Sequence, residues 1–569
     1  GRPMTRVRLA AIAALVALGL ASSFGNLSNR FAQDDMPVIE RNPVVHTLAE
    51  PWTFFTESYW PKPFPPALYR PLATAGFAVQ WQLGGGRPVA FRLASNLLYL
   101  AAGLALFHLA GLLLPPLAAW LVAAFFLVHP VHVEAVAVAV NQSEIIVGLL
   151  AVVLVTFYLR IRERHTFRAS HGAALFAIYL AATLFKESGL VLMGLIVAAE
   201  LTVVKDDRPL KARLGEIRPM LLVMFLGATT FFAIRTLALE GDPVGTFTAE
   251  ALDGLSVGGR ALTMLTVVPH WFRLLLWPAH LQGDYSPREI DPSTTWGLAQ
   301  TQGALLLVLA LALAIVCWRR YPVVTFGLLW TGIGLFPVSN VLVPTGIVLA
   351  ERTLFLPSIG MMLTIGGLAA PLLARLGPAA AAGRPAGRWL AFAGIGAILL
   401  MGTSRSASRQ TVWKDQFTYW NQTAIDAPLS YRAHHALAQL LFQIGARQRA
   451  EKEYKVAIAL YPRQWGAYFD LANKLRLNGL CEQAVRYYRE TLLIEPEHES
   501  ARTSLIACLL YLGRYPDALA ESREGMSYAT RPARLAVFRK LLRVSDSAQT
   551  ARAAPGTVRL VITAQDTLQ

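Results

Sequence analysis

The chain has 569 residues, 54% of them hydrophobic and only 15% charged, with a formal net charge of +16. Soluble domains carry about 25% charged residues, so these values exclude a disordered, fibrous or wholly soluble protein. The positive charge does not point to nucleic acid, because Lys and Arg fall in short runs between apolar segments, the pattern of cytoplasmic loops in a polytopic membrane protein.

A bilayer-crossing helix needs about 20 residues. Arg2, Arg6 and Arg8 precede an apolar stretch from Leu9 to Phe24, which reads as a first membrane helix or a cleaved signal peptide. Further candidate spans lie at 92–113, 116–129, 143–159, 171–186, 188–204, 219–238, 302–318, 323–337, 354–374 and 389–403, about eleven in all. Basic runs set the orientation: Arg160, Arg162, Arg164 and Arg168; Lys205, Arg208, Lys211, Arg213 and Arg218; Arg319 and Arg320; Arg375, Arg384 and Arg388. With the N-terminus inside, eleven spans put these runs on the cytoplasmic side and the stretch after residue 404 outside. Segment 261–277 would break this parity; its Pro269, His270, Trp271, Arg273 and Trp277 suggest an interfacial or re-entrant helix. Residues 26–90 form a long first outer loop, and 378–388 an Ala/Gly/Pro/Arg-rich connector.

The last third repeats itself. Gly445, Gly479 and Gly513 keep a 34-residue step, as do Ala450, Ala484 and Ala518, Tyr454 and Tyr488, and Pro462 and Pro496. Glycine permits the tight turn, alanine the close helix approach, and proline ends the second helix. The unit resembles the tetratricopeptide repeat. The predicted organisation is a membrane domain at 1–404, a linker at 405–430, three repeats at 431–532 and an unreadable tail at 533–569. Cys317, Cys481 and Cys508 give no disulfide framework and no metal spacing. Cys481 and Cys508 could meet across neighbouring repeat helices, although buried free thiols are the preferred reading.

Ionisable groups gather in the outer loops, where charge near a membrane is costly and tends to be functional. Asp34 and Asp35 follow the first helix; adjacent carboxylates there act as a general base, hold a divalent cation or cap a helix. Arg70, Lys186 and Arg352 are candidate phosphate ligands, arginine through its planar fork and lysine as a point charge; the alternative for each is an ordinary ion pair. His129, His132, Glu134, Glu144, Asp284 and Tyr285 are expected around the substrate. His129 and His132 are three residues apart and broken by Pro130, a poor zinc pair; hydrogen bonding to a polar substrate, or core packing for His132, suits them better.

In order and spacing, Phe31-Ala-Gln-Asp34-Asp35, Tyr69-Arg70-Pro71-Leu72, His129-Pro-Val-His132-Val-Glu134-Ala135, Lys186-Glu187-Ser188-Gly189, Asp284-Tyr285-Ser286, Glu351-Arg352 through Gly360, and the repeats resemble the transmembrane O-mannosyltransferases that carry tetratricopeptide repeats. The resemblance covers about 5–532. It implies a mostly α, class C glycosyltransferase (GT-C) fold, an uncleaved first helix, an active site on the outer side, and a polyprenyl-phosphate donor whose sugar, mannose in the first instance, passes to Ser or Thr hydroxyls. Asp34 then becomes the catalytic base with Asp35 supporting it. The expected partners are that donor, a polypeptide acceptor presented by the repeats, and membrane lipid. No cofactor is required, with a divalent cation at Asp34 and Asp35 left open. Where the family often has Gly-Arg-x-Glu, this chain has Asn141-Gln142-Ser143-Glu144, so one donor-phosphate arginine is missing. Its composition and short repeat array look bacterial, which implies an inner-membrane protein with periplasmic first loop and repeats. The rival readings are a transferase acting on lipid-linked glycans or lipids, and a non-enzymatic membrane-anchored repeat scaffold.

Overall fold

A computed structural model describes residues 6–62, 64, 68–239, 247–375 and 385–558, the side chains of 385–388 excepted. Arg2, the connector residues 378–384 and the tail from 559 onward lie outside the described residues. There is no strand among the described residues. The chain forms two compact units, Gly1–Ser286 with Ile290–Asp426, and Pro287–Glu289 with Ala427–Gln569.

The first unit runs α1 (Arg6–Ser23), α2 (Thr53–Thr56), α3 (Pro71–Gly84), α4 (Pro88–Leu113), α5 (Pro116–Leu127), α6 (Val133–Ala137), α7 (Gln142–Arg164), α8 (Ala169–Phe185), α9 (Leu192–Thr202), α10 (Leu210–Ala238), α11 (Val257–Leu276), α12 (Leu298–Cys317), α13 (Pro322–Leu335), α14 (Phe355–Ala374), α15 (Pro385–Gln410) and α16 (Gln416–Asp426). Prolines open α3, α4, α5 and α13, where the missing N–H would have no helical partner anyway. Large apolar side chains remain exposed along α10 (Leu222, Phe225, Leu226) and α12 (Leu305, Val308, Leu309, Leu311). Such faces are covered by lipid.

Among the described residues, seven helical segments are long and apolar enough to cross a membrane, or up to eight if the bent pair Pro116–Leu127 and Pro130–Ala137 counts as one. The protein is an integral membrane protein. All eleven sequence segments fall on helices, but α8 (17 residues) and α9 (11 residues) are short. Segment 261–277 falls on α11, a 20-residue helix with Pro269 inside it, which is not among the seven. Arg162, read as part of a loop-facing basic run, is buried and pairs with Glu200 and Asp206 at 2.9 and 2.8 Å. The stretch read as a linker, 405–430, holds the end of α15 and all of α16.

The second unit contains α17 (Tyr431–Gln443), α18 (Arg447–Leu460), α19 (Trp465–Leu477), α20 (Cys481–Ile494), α21 (Glu499–Tyr511), α22 (Tyr515–Tyr528) and α23 (Pro532–Thr550). Gly445, Gly479 and Gly513 close the first helix of each pair at φ of 82°, 79° and 74°, values that disfavour any side chain. Ala450, Ala484 and Ala518 are buried at the helix crossings with Tyr454 and Tyr488. These helices form three successive pairs, with α23 packed on α22 inside what was read as tail.

Candidate active site

Asp34 and Asp35 leave the chain in different directions. Gln33, just before them, adopts φ 54°, a left-handed conformation uncommon for a side-chain-bearing residue and typical of functional sites. Asp35 is sealed from solvent. One of its oxygens lies 2.9 Å from Arg92 Nη2. The carboxylate also accepts the backbone N–H groups of Ala139 and Val140 at 3.2 and 2.9 Å. These donors open the Ala139–Arg164 span, so Asp35 fills the acceptor-poor N-terminus of a membrane helix. Burial raises the Asp35 carboxyl above its usual range, with Arg92 and the two N–H groups pulling it back.

Asp34 stays partly open, its side chain 31% exposed, with Arg352 Nη2 3.9 Å from its Oδ2. Of the three roles set out for the pair, Asp35 takes the helix cap and Asp34 keeps an accessible carboxylate. Among the described residues no group of three or more His, Cys, Asp and Glu side chains could hold a metal ion.

The three cations all sit in this region, each matched by a carboxylate. Arg352 pairs with Glu134 through its guanidinium and donates its backbone N–H to Glu134 Oε2 at 2.8 Å. Lys186 pairs with Glu144. Arg70 donates Nε–H to Glu187 at 3.0 Å and lies over the Tyr59 ring at 4.9 Å. The charges of Glu144, Arg70 and Arg352 all act on Lys186, so the three cations form one electrostatic cluster. Burial works against the charge of Arg70, and Glu187 more than restores it. Neither Lys186 with Glu187 nor Glu351 with Arg352 forms a neighbour pair; each residue reaches a different element. The sharp fold-back at Lys186 depends on Gly189, where a Cβ would come 2.5 Å from the Ala182 carbonyl carbon.

The other expected residues divide. Glu134 and Glu144 are buried counter-ions of the cations. Tyr285 donates its hydroxyl to Glu351 at 3.0 Å, and Glu351 also accepts the Gln282 N–H at 2.6 Å. Asp284 accepts the Ser286 N–H at 2.9 Å, and its charge acts with those of Glu134, Arg352 and Asp34 on Tyr419. His132 is buried, one ring nitrogen 3.0 Å from the Tyr99 hydroxyl and the other 2.8 Å from Ser358 Oγ. His129 contacts the Leu275 carbonyl at 3.2 Å and accepts the Val131 N–H at 3.3 Å. Both histidines brace elements here. At the departure from the family stretch, Gln142 bonds Gln80, the Phe91 carbonyl and Ser95, while Glu144 engages Lys186.

Sequence reasoning missed Arg92 and Tyr419. A lone arginine inside the apolar 88–113 segment was a usable signal, since charge in a span demands a partner. Tyr419, whose hydroxyl donates to the Gly283 carbonyl at 2.7 Å, lay in the supposed linker and carried no signal.

No family model matches the chain. The chain is similar to proteins named as protein O-mannosyl-transferases. One, from Caenorhabditis elegans, is 23% identical over 79% of this chain and 62% of its own length. TMTC3 of Mus musculus is 20% identical over 90% of this chain and 63% of its own. TMTC1 of Homo sapiens is 25% identical over 82% and 57%. The chain spans about six-tenths of the length of these relatives.

Proposed function

We propose that the chain is a glycosyltransferase that moves a sugar, mannose in the first instance, from a polyprenyl-phosphate donor to Ser or Thr hydroxyls of an exported protein, with inversion. The observation that carries the reading is the divergence of Asp34 and Asp35 beside the cluster of Arg70, Lys186 and Arg352. Similarity to proteins named O-mannosyl-transferases supports the substrate class.

In the proposed step Asp34 takes the acceptor hydroxyl proton as that oxygen attacks the anomeric carbon. The carbon–oxygen bond to the lipid phosphate breaks, and the phosphate leaves with the electron pair. Arg352, Lys186 and Arg70 stabilise the charge that grows on it, an electrostatic contribution that often dominates. Asp35 and Arg92 hold the loop that presents Asp34. No step uses a metal ion, and loss of activity in chelator would overturn that part. Eleven spans, a cytoplasmic N-terminus, a periplasmic first loop and repeats, and acceptor presentation by the repeats complete the proposal.

The test is transfer from radiolabelled polyprenyl-phosphate mannose in membranes containing the full chain or its Asp34→Asn variant. Label on protein that disappears in the variant is the expected result. Label that persists at the wild-type rate removes Asp34 from the chemistry.

A further inference from the structure

The second unit contains a pair of side chains that the proposed chemistry does not use. Cys481 is the first residue of α20, and Cys508 stands near the end of α21. The two helices are successive and packed on each other, so their register brings the thiols to one level. The sulfurs lie 2.6 Å apart, inside ordinary van der Waals contact. Cys481 is 7% exposed and Cys508 is fully buried, in a core with Ala484, Val485, Leu505 and Leu509. Contact with Cys508, and to a lesser degree the Arg476 guanidinium, holds the Cys481 thiol below its usual range, whereas that same contact and burial raise Cys508. Cys481 is therefore the sulfur that supplies the thiolate, the species that performs thiol–disulfide exchange.

We propose that Cys481 and Cys508 are a disulfide-forming site, a covalent clasp between the second and third helix pairs. The co-reactant is the disulfide of a thiol-oxidising carrier protein. One cysteine thiolate attacks a carrier sulfur, giving a mixed disulfide and releasing one carrier thiol. The second cysteine attacks the first sulfur, forming the Sγ–Sγ bond and releasing the other carrier thiol. The two cysteine protons end on the carrier, which is reduced by two electrons. Exchange precedes closure of the third pair over the second, because both sulfurs are buried afterwards. The clasp is independent of the glycosyltransferase reading. It requires only that the repeats mature in an oxidising compartment.

The experiment uses the full chain in its native membranes. Thiols are trapped in denaturing acid with one alkylating agent, and a second agent is added after reduction. Cys481 and Cys508 are expected to carry the second label, and an unreduced tryptic digest to contain Leu477–Arg486 joined to Thr503–Arg514. Cys317, buried in α12 with no thiol neighbour, is the internal control for the first label. The first label on both repeat cysteines overturns the proposal. A second reading guards against partial oxidation during handling. Reductant is expected to raise protease-sensitive opening of the wild-type repeats roughly 30- to 1,000-fold, and to leave a Cys481→Ala, Cys508→Ala variant unchanged. Equal proteolysis of the wild type with and without reductant also overturns it.

Discussion

Arg92 and Asp35 meet at 2.9 Å with both side chains shut away from solvent, joining the first loop to a membrane helix. Breaking a buried pair by removing one partner costs about 3–5 kcal/mol, because an uncompensated charge stays behind. Arg92→Leu is therefore expected to lower the thermal unfolding midpoint of the purified protein sharply. Asp34→Asn, at a partly open position, is expected to change it little. Equal midpoints for the two variants would remove the distinction drawn between the carboxylates.

The same distinction has a kinetic form. A general base contributes about 10²–10⁴-fold, so Asp34→Asn should lose that much kcat while purifying like wild type. Asp35→Asn should lose folded protein as well as activity. Single-turnover transfer, normalised to folded protein by size-exclusion chromatography, separates the two.

If Arg70, Lys186 and Arg352 serve the donor phosphate, their carboxylate partners compete with it. Glu144→Gln leaves Lys186 in place and removes its competitor. Donor KM is expected to fall in this variant, while Lys186→Ala costs on the order of 10²–10³ in kcat, as loss of a transition-state donor does. An unchanged donor KM in Glu144→Gln would mark the ion pair as structural.

Glu187 gives a pH prediction. Burial raises its carboxyl, but Arg70 and Arg235 more than offset this and hold it below the ordinary glutamate range. A depressed folded pKa means that the pair stabilises the protein fully above the unfolded value, about 4.3. That stabilisation is lost as pH falls through the folded value. The midpoint difference between wild type and Glu187→Gln should thus be constant above about pH 5 and shrink below pH 4. A difference that grows on acidification contradicts the assignment.

In the second unit, Ala484 is fully buried at a helix crossing. Ala484→Leu is expected to destabilise the repeats by about 1–3 kcal/mol through overpacking, read as earlier loss of helical signal on heating.

Much of this arrangement was legible beforehand. Every candidate span fell on a helix because long apolar runs have no other way to satisfy their backbone, and a 34-residue step located three helix pairs to within a few residues. Asp34, Arg352, Lys186 and Arg70 were picked out as charges close to apolar segments, and they do converge. What the sequence withheld was pairing. Lys186 beside Glu187, and Glu351 beside Arg352, invite neighbour pairs, yet each turns to a partner tens or hundreds of residues away. Arg162 looked like a solvated loop charge and is buried against Glu200. Such choices depend on which helices lie side by side, and no local pattern encodes that.

Those diverging neighbours also make the site a joint. Glu134, Glu144 and Glu187 belong to different stretches of chain, and each holds a cation from yet another. A phosphate that draws one cation away from its carboxylate therefore loosens a tie between helices as it forms a new one. In the proposed reading, filling the site and releasing a tie between those stretches are therefore a single event.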